Sequence, residues 1–242
     1  MKQFLFKLVR AFLNRVWYKY IVYNIKGAGN KIILVSENGA EKALKKHQRI
    51  SHLNIHVIGN GNTIRISDKA NFMGKCEIRL NVCNNANIDI QESPRICDLR
   101  IRSKNADNIG VVWGAGSVVW SIDFILNENN AKIIIGRNCA LSSLSSIWAT
   151  DAHPIFDLET KKLLNRIKRP LVIGNNCWIG SGSRLMKNTD LPDNTMVGSG
   201  SVVTKRFTEP NTIIAGNPAK VVKTGIGFNF RIPMHEYKEP QQ

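Results

Sequence analysis

Two titratable side chains stand where an apolar segment of the sequence ends. The segment SSIWATDAHPIFD, residues 145–157, places Asp151 and His153 two residues apart, directly before Pro154. Side chains two apart on a strand share a face, and proline cannot donate to a sheet ladder, so the strand is expected to stop at the histidine. An imidazole, whose ordinary pKa is about 6.5, can take the proton of an attacking hydroxyl. The pattern fits a general base, and it also fits a surface histidine at a strand end.

The segment after the histidine favours a functional role. Residues 154–170 lack the periodicity of the surrounding chain and carry five cations, Lys161, Lys162, Arg166, Lys168 and Arg169. Such a segment is expected to be a loop or short helix beside His153. Functional residues are common on loops that a rigid scaffold holds.

The elements that must position His153 are repeats. GAGNKIIL (27–34) and GNGNTIRI (59–66) match at both glycines, the asparagine and the next isoleucine, and NNANIDI (84–90) and NNAKIII (129–135) are shorter copies. The third glycine of a dinucleotide-binding loop and a following helix are missing. Recurrence of the pattern predicts a turn followed by a strand.

A six-residue period runs through much of the chain. Its aliphatic positions are Ile66, Phe72 and Ile78, then Ile135, Leu141 and Ile147, and then Ile173, Ile179, Leu185, Leu191, Val197 and Val203. A small residue follows four positions later, as at Cys139 and Cys177, which predicts packing cysteines. Flat strands with glycine or asparagine corners, three to a turn, predict an all-β parallel β-helix.

Composition and charge narrow the partners. The 242 residues are 43% hydrophobic and 21% charged, with a net charge of +16 that favours an anionic partner. No nucleic-acid-binding motif is present, so nucleic acid is the partner least expected. The five cysteines form no C-x-x-C pair. They predict neither a disulfide framework nor a metal site and fit a reducing cytoplasm.

The first 26 residues have a pattern of their own. Leu5, Leu8, Phe12 and Val16 recur at helical spacing, and six basic residues occur without an acid. The pattern predicts an amphipathic helix too charged to span a bilayer. It could lie on an anionic membrane, at the inner face of the plasma membrane, or pack on its own protein or a second subunit.

The chain resembles the hexapeptide-repeat acyltransferases. The resemblance rests on AHPIFD (152–157), VIGNNCWIGSGSRLM (172–186), VGSGSVVTK (197–205) and IIAGNPAKVVK (213–223), in that order. It lies nearest the maltose, galactoside and xenobiotic O-acetyltransferases, with capsule and O-antigen O-acetyltransferases close by. The resemblance implies a left-handed β-helix, acetyl-CoA as acyl donor, no metal, and a homotrimer whose active sites lie between subunits.

The resemblance also assigns residues. His153 matches the general base, the amide of Ser181 matches a donor beside the thioester, and Trp178 lines the same site. The resemblance assigns the coenzyme groove to Ser199, Gly200, Thr204, Lys205, Lys220 and Lys223. Asp151 could orient His153, and Asp157 could contact the acceptor. The family's acceptor-binding residues lie upstream, where no residue of this chain aligns with them.

These observations predict three parts and one leading function. The parts are an N-terminal helix (1–26), a β-helix acyltransferase domain (27–224) with a loop at 154–170, and a C-terminal tail (225–242). The leading function is a cytoplasmic O-acetyltransferase acting on a surface glycan or its sugar precursor. A drug-modifying O-acetyltransferase and a non-catalytic β-helix scaffold are the alternatives.

Overall fold

The protein is described from a computed structural model, which covers residues 23–45 and 48–238. Its described residues form β-strands, turns and one short 3₁₀ turn, Met234–Glu236. The strands in chain order are β1 Tyr23–Lys26, β2 Lys31–Val35, β3 Glu41–Ala43, β4 Leu53–Ile58, β5 Thr63–Ser67, β6 Ala70–Met73, β7 Cys76–Asn81, β8 Asn87–Ile90, β9 Ser93–Cys97, β10 Leu99–Lys104, β11 Gly110–Trp113, β12 Val118–Val119, β13 Ile122–Ile125, β14 Lys132–Ile135, β15 Ala140–Leu141, β16 Ser145–Trp148, β17 Leu171–Ile173, β18 Trp178–Ile179, β19 Arg184–Leu185, β20 Asp190–Leu191, β21 Thr195–Val197, β22 Val202–Val203, β23 Thr212–Gly216 and β24 Ala219–Lys223.

The strands stack into three sheets that form the sides of a prism. Sheet A has the order β1-β4-β7-β10-β13-β16-β19-β22, sheet B has β20-β17-β14-β11-β8-β5-β2-β3, and sheet C has β24-β23-β21-β18-β15-β12-β9-β6. Neighbouring strands are parallel, except for the pairs β2–β3 and β23–β24. Because the chain passes from A to B to C and back, it turns at an A–B, a B–C and a C–A corner. The predicted left-handed β-helix is confirmed as the fold class.

The interior of the prism is the hydrophobic core. Every aliphatic or aromatic residue of the predicted six-residue series is buried, and so are Cys139 and Cys177. The prediction that these cysteines are packing residues is therefore consistent with their position. Sterics explain why glycine follows the inward aliphatic residue at a corner. A Cβ on Gly136 would lie 2.5 Å from the carbonyl oxygen of Gly174 in the next coil.

The length of the coils differs along the chain. From β4 to β16 the stacked interior residues of sheet A are Ile55, Ile78, Ile101, Phe124 and Ile147, which lie 23 residues apart. Leu185 and Val203 follow Ile147 in the same stack, and only their 18-residue step corresponds to three hexapeptides. Three six-residue units to a turn therefore describe the C-terminal coils, and the N-terminal coils contain longer strands and corners.

The asparagine-rich repeats form the A–B corner, with the predicted turn before each strand. The corner is tied by a ladder in which the backbone N–H of Ala28 donates to Asn60, that of Asn60 to Asn84, that of Asn84 to Asp107, and that of Asp107 to Asn129, at 2.8–2.9 Å. Each side-chain oxygen thus satisfies an amide of the neighbouring coil. The ladder makes this corner a rigid column that ends at Asn129, one coil before His153.

The terminal segments depart from the predicted division. Residues 23–26, which were expected in the N-terminal helix, form β1, because Tyr23 and Ile25 pack on the core and pair with β4. Residues 1–22 lie outside the described residues. At the other end, the tail from residue 225 leaves the repeat, as expected, and folds back along the prism. No helix in the described part of the chain is long and apolar enough to cross a membrane.

Candidate active site

His153 lies on the A–B corner, where the chain leaves β16. Its side chain is exposed, and its ring makes no hydrogen bond within the described part of the chain. Its backbone is fixed, because its carbonyl accepts a hydrogen bond from Asn165 Nδ2 at 2.9 Å. The imidazole opens into a pocket of about 430 Å³ whose wall includes Glu128, Asn129 and Arg166. The ring is therefore free to accept a proton from a ligand in that pocket.

The segment predicted as a loop or short helix is a small hairpin. Phe156 and Leu163 form an antiparallel bridge, and the Leu164 N–H donates to the Ile155 carbonyl at 2.8 Å. Asp157 closes the tip by accepting hydrogen bonds from Thr160 N and Oγ1, both at 2.8 Å. These bonds hold the pKa of Asp157 below its ordinary value. Asp157 is thus occupied with shaping the hairpin, and its predicted contact with acceptor remains untested.

Asp151 anchors the base of the hairpin. Its carboxylate forms an ion pair with Lys187 and accepts a hydrogen bond from Asn165 Nδ2 at 2.8 Å. Burial acts to raise the pKa of Asp151, but the hydrogen bonds from Lys187 and Asn165 and the ammonium charge outweigh it, so the pKa is lowered. The structure contains no hydrogen bond between Asp151 and the His153 ring. Among the described residues, Asn165 links the two, because its Nδ2 donates both to the Asp151 carboxylate and to the His153 carbonyl.

Sequence reasoning missed Asn165 and Lys187. Lys187 donates to both Asp151 and the carbonyl of Asn165, the latter at 2.6 Å, and Asn165 Oδ1 accepts the Ile155 N–H at 2.9 Å. Lys187 is 36 residues from Asp151, a separation set by the length of the hairpin plus one coil. The only local signal was a lysine directly after the apolar pair Leu185 and Met186.

Ser181 lies at the C–A corner, in a tight turn. The turn Gly180–Ser183 has a Ser183 N–H to Gly180 carbonyl bond of 3.3 Å and a φ of +69° at Gly182, which mark a type II turn. Within the described residues nothing accepts the Ser181 N–H, and the side chain is exposed. The amide of Ser181 is therefore available to bind an anionic oxygen.

The remaining predicted residues fall into two groups. Ser199 and Gly200 repeat the same turn one coil further on, where the Gly200 N–H donates to the Ser181 carbonyl at 2.8 Å. Lys220 is near this corner, because it pairs with Ala215, which packs on Gly198. Thr204 and Lys205 follow β22 at the A–B corner, and the Lys205 Nζ lies 5.3 Å from the centre of the Phe207 ring. All five residues are exposed.

Trp178 lies on the outer face of sheet C, where the C-terminal tail covers part of it. Its indole stacks on Phe228 with ring centres 5.2 Å apart and donates from Nε1 to Ser142 Oγ at 3.1 Å. Further along the tail, Arg231 Nη2 donates to Asn138 Oδ1 at 2.6 Å. Lys223 shares this face, because a row of paired residues on neighbouring strands connects it to Trp178. In this row Trp178 pairs with Met196, Met196 with Ile213, and Ile213 with Lys223. The tail, to which sequence analysis gave no role, thus fixes the orientation of Trp178.

One chain does not bring the predicted catalytic residues together. His153 and Ser181 lie at opposite ends of sheet A, on the A–B and C–A corners. The width of sheet A between these corners is set by its strands, and β16 has 4 residues. At 3.3 Å per residue, the strand and its flanking corner residues separate His153 from Ser181 by at least about 15 Å. A hydroxyl in contact with His153 would be out of reach of a carbonyl oxygen held by Ser181 of the same chain.

Residues 170–205 match the family described as bacterial transferase hexapeptide (six repeats). The matched segment comprises strands β17 to β22, which form the C-terminal coils. A polysialic acid O-acetyltransferase of Escherichia coli O1:K1 / APEC is 34% identical over 64 residues, which is 26% of this chain and 20% of that relative. The match therefore spans about a fifth of the length of that protein.

Two solved transferase structures resemble almost the whole chain. The polysialic acid O-acetyltransferase OatWY is 25% identical, with 88% of this chain and 93% of that chain covered and a TM-score of 0.68. The polySia-specific acetyltransferase NeuO shares the fold at 20% identity and a TM-score of 0.58, with 85% and 87% covered. Both resemblances extend beyond the hexapeptides into the N-terminal coils, where this chain has its longer turns.

Proposed function

We propose that the protein transfers an acetyl group from acetyl-CoA to a hydroxyl of a bacterial surface polysaccharide, with His153 as general base. The observation that carries the proposal is the position of His153, whose backbone is fixed and whose imidazole is free at the mouth of a polar pocket. The names of the similar proteins support a polysaccharide acceptor. The exposed residues on the C–A corner support the coenzyme as donor.

The chain's residues divide the chemistry into two tasks. The imidazole of His153 takes the proton from the acceptor hydroxyl as its oxygen attacks the thioester carbonyl, and later returns the proton to the departing thiolate. The Ser181 N–H stabilises the negative charge that develops on the carbonyl oxygen. Transfer is direct, so no acyl-enzyme forms. The ester C–O bond forms as the thioester C–S bond breaks, and the proton ends on the thiol.

The distance between the two corners requires a second copy of the chain. We propose a homotrimer in which the His153 corner of one subunit faces the Ser181 corner of its neighbour. The hairpin supports this arrangement, because Ile155, Phe156, Leu158 and Leu164 are exposed apolar side chains on an arm that projects from the prism. Exposed apolar groups clustered in this way are typical of a contact surface.

The coenzyme groove is proposed to contain Ser199, Gly200 and Lys220 beside Ser181, with Trp178 and Lys223 on the adjoining face of sheet C and Thr204 and Lys205 from the facing corner. The lysines would bind the phosphates of the coenzyme as point charges. No group of His, Cys, Asp and Glu residues that could hold a metal ion occurs in the described part of the chain. We place the reaction in the cytoplasm, where a free thiol at each cysteine is the expected state.

The test measures free-thiol release from acetyl-CoA in the presence of bacterial polysaccharides, beginning with polysialic acid, and mass spectrometry of the product. His153→Ala should abolish acceptor-dependent release without loss of coenzyme binding. His56→Ala, which removes a half-exposed histidine on strand β4, serves as the control. Release with drug hydroxyls alone would favour a xenobiotic acetyltransferase. Absence of coenzyme binding would refute the proposal and favour a scaffold.

A further inference from the structure

We propose that a basic groove leading away from His153 binds carboxylate groups of the polysaccharide, so that the acceptor is an acidic polymer gripped at more than one sugar residue. The inference rests on the proposed function and deepens it. Its basis is that the pocket of His153 adjoins a second pocket of about 320 Å³, with which it shares Glu128, Asn129, Asn130 and Arg166. The two pockets form one groove along the A–B corner, which we call the corner groove.

The floor of the corner groove is preorganised by the scaffold. Asn129 Oδ1 accepts the Asp107 N–H at 2.8 Å, as the last member of the corner ladder. Glu128 accepts a hydrogen bond from Thr150 Oγ1 at 2.6 Å. Because these bonds fix the side chains before any ligand arrives, little conformational entropy remains to be lost at the floor on binding.

The far end of the groove is strongly positive. Lys132, Arg166, Lys168 and Arg169 line it, and all four are exposed. None of them forms an ion pair with a described residue, and Glu128 is the single carboxylate that lines either pocket. Four cations beside one carboxylate that is already hydrogen-bonded leave a positive potential focused in a concave surface.

This arrangement selects a ligand by its chemistry. Guanidinium groups bind carboxylates through paired, parallel hydrogen bonds. A polymer with a carboxylate on each sugar residue can place one or two of them against Arg166, Lys168 and Arg169 while a hydroxyl of the next residue reaches His153. A neutral glycan would contact the asparagines and leave the cations without partners. The groove therefore recognises an acidic glycan and sets which residue of it meets the base.

The decisive experiment measures binding apart from catalysis. Full-length protein carrying His153→Ala is titrated with fluorescently labelled polysialic acid oligomers in the absence of acetyl-CoA. The same polymer with its carboxyl groups reduced to alcohols is the control ligand. The triple variant Arg166→Gln, Lys168→Gln, Arg169→Gln removes the positive end of the groove. The matched control Lys42→Gln, Lys69→Gln, Lys75→Gln removes equal charge from exposed sites on the N-terminal coils.

We expect the groove variant to bind the acidic polymer at least about tenfold more weakly, and to depend less on salt, since each exposed charge pair changes affinity about two- to fivefold. The control variant should change affinity by less than about threefold, because its three lysines are exposed on the N-terminal coils and do not line the groove. The reduced polymer should bind the parent protein weakly, and it should bind the groove variant and the control variant with the same low affinity.

Three results would overturn the inference. These are unchanged binding by the groove variant, equal binding of the native and the reduced polymer, and displacement of polysialic acid by duplex DNA at equal charge concentration. Binding through the groove without acetyl transfer by wild-type protein would support the groove and count against the proposed function. Transfer to polysialic acid at an unchanged KM in the groove variant would leave the function in place and refute the groove.

Discussion

Replacement of Ser181 by proline removes one backbone N–H and leaves the corner intact, which makes it a direct test of the proposed mechanism. Ser181 is the second residue of a type II turn, closed by the Ser183 to Gly180 bond with Gly182 at φ +69°. Proline is common at this position of such turns. The N–H that is lost has no partner in the described structure, and the preceding Gly180 tolerates the restriction that proline imposes.

The expected effects on stability and on catalysis therefore separate. Proline at a compatible turn position changes the free energy of unfolding by less than about 1 kcal/mol, with stabilisation the more common sign. Removal of one donor to an oxyanion lowers kcat by about 10²–10³, or roughly 3–4 kcal/mol of transition-state stabilisation. Ser181→Ala keeps the N–H and should retain kcat within about twofold of wild type, because the side chain makes no hydrogen bond among the described residues.

Thiol release from acetyl-CoA with saturating polysaccharide gives kcat and KM, and thermal unfolding is recorded on the same samples. Coenzyme binding is measured separately by calorimetry, so that loss of donor affinity is not mistaken for loss of chemistry. If Ser181→Pro folds, binds coenzyme and keeps kcat within about threefold, the loss of about 3 kcal/mol expected for an oxyanion donor is absent. The assignment of the Ser181 amide would then be refuted.

Three further predictions follow from the contacts of the site. Phe228→Ala removes the stack on Trp178, typically worth about 0.5–1.5 kcal/mol, and should raise the KM for acetyl-CoA about two- to tenfold. Phe228→Tyr, which keeps an aromatic ring, and Met234→Ala, at an exposed residue of the same tail, should leave this KM unchanged. An equal effect of Met234→Ala would contradict a specific role for the stack. Lys187→Met leaves the Asp151 carboxylate without its ion-pair partner and should destabilise the hairpin by about 1–3 kcal/mol, less than a fully buried pair would lose. Hydrogen exchange at the Ile155 and Leu164 amides would detect this loss. Because the pKa of Asp151 is lowered, the ion pair anchors the hairpin at neutral pH, and this stabilisation should weaken as pH falls through that lowered pKa. Co-refolding equal amounts of His153→Ala and Ser181→Pro chains should restore about a quarter of wild-type activity. If each site uses His153 of one chain and Ser181 of another, random mixing leaves one site in four with both residues intact. A mixture without recovered activity would exclude the shared site.

The architecture of the C-terminal coils could be predicted from the sequence because its cause is local. Each inward aliphatic, from Ile173 to Val203, repeats at six residues, and the structure buries all of them. The asparagine turns before β2, β5 and β8 were predicted for the same reason. The 23-residue coils were not predicted, because longer strands such as Leu53–Ile58 and Leu99–Lys104 still contain alternating apolar residues that fit a six-residue series in part.

The candidate site could be predicted only in part. His153, Ser181 and Trp178 are in short local motifs, and the structure places each at an exposed position on a corner or a sheet face. Asn165 and Lys187 could not be found, because their role depends on which residues the hairpin and the next coil bring against Asp151. The contact of Phe228 with Trp178 was equally hidden, since the tail has no periodicity that indicates where it packs.

The sequence by itself determined the repeated unit, the identity of the interior residues, the position of the hairpin and the residues able to do chemistry. These are properties of short segments, because each hexapeptide buries its one aliphatic side chain wherever in the chain the hexapeptide lies. Only the tertiary structure decided which corner each residue occupies. That depends on the summed length of every coil between two residues, so a coil of 18 or 23 residues, or one inserted hairpin, changes which side chains stack. For this reason the separation of His153 from Ser181, the pairing of Lys187 with Asp151 and the corner groove appear only in three dimensions.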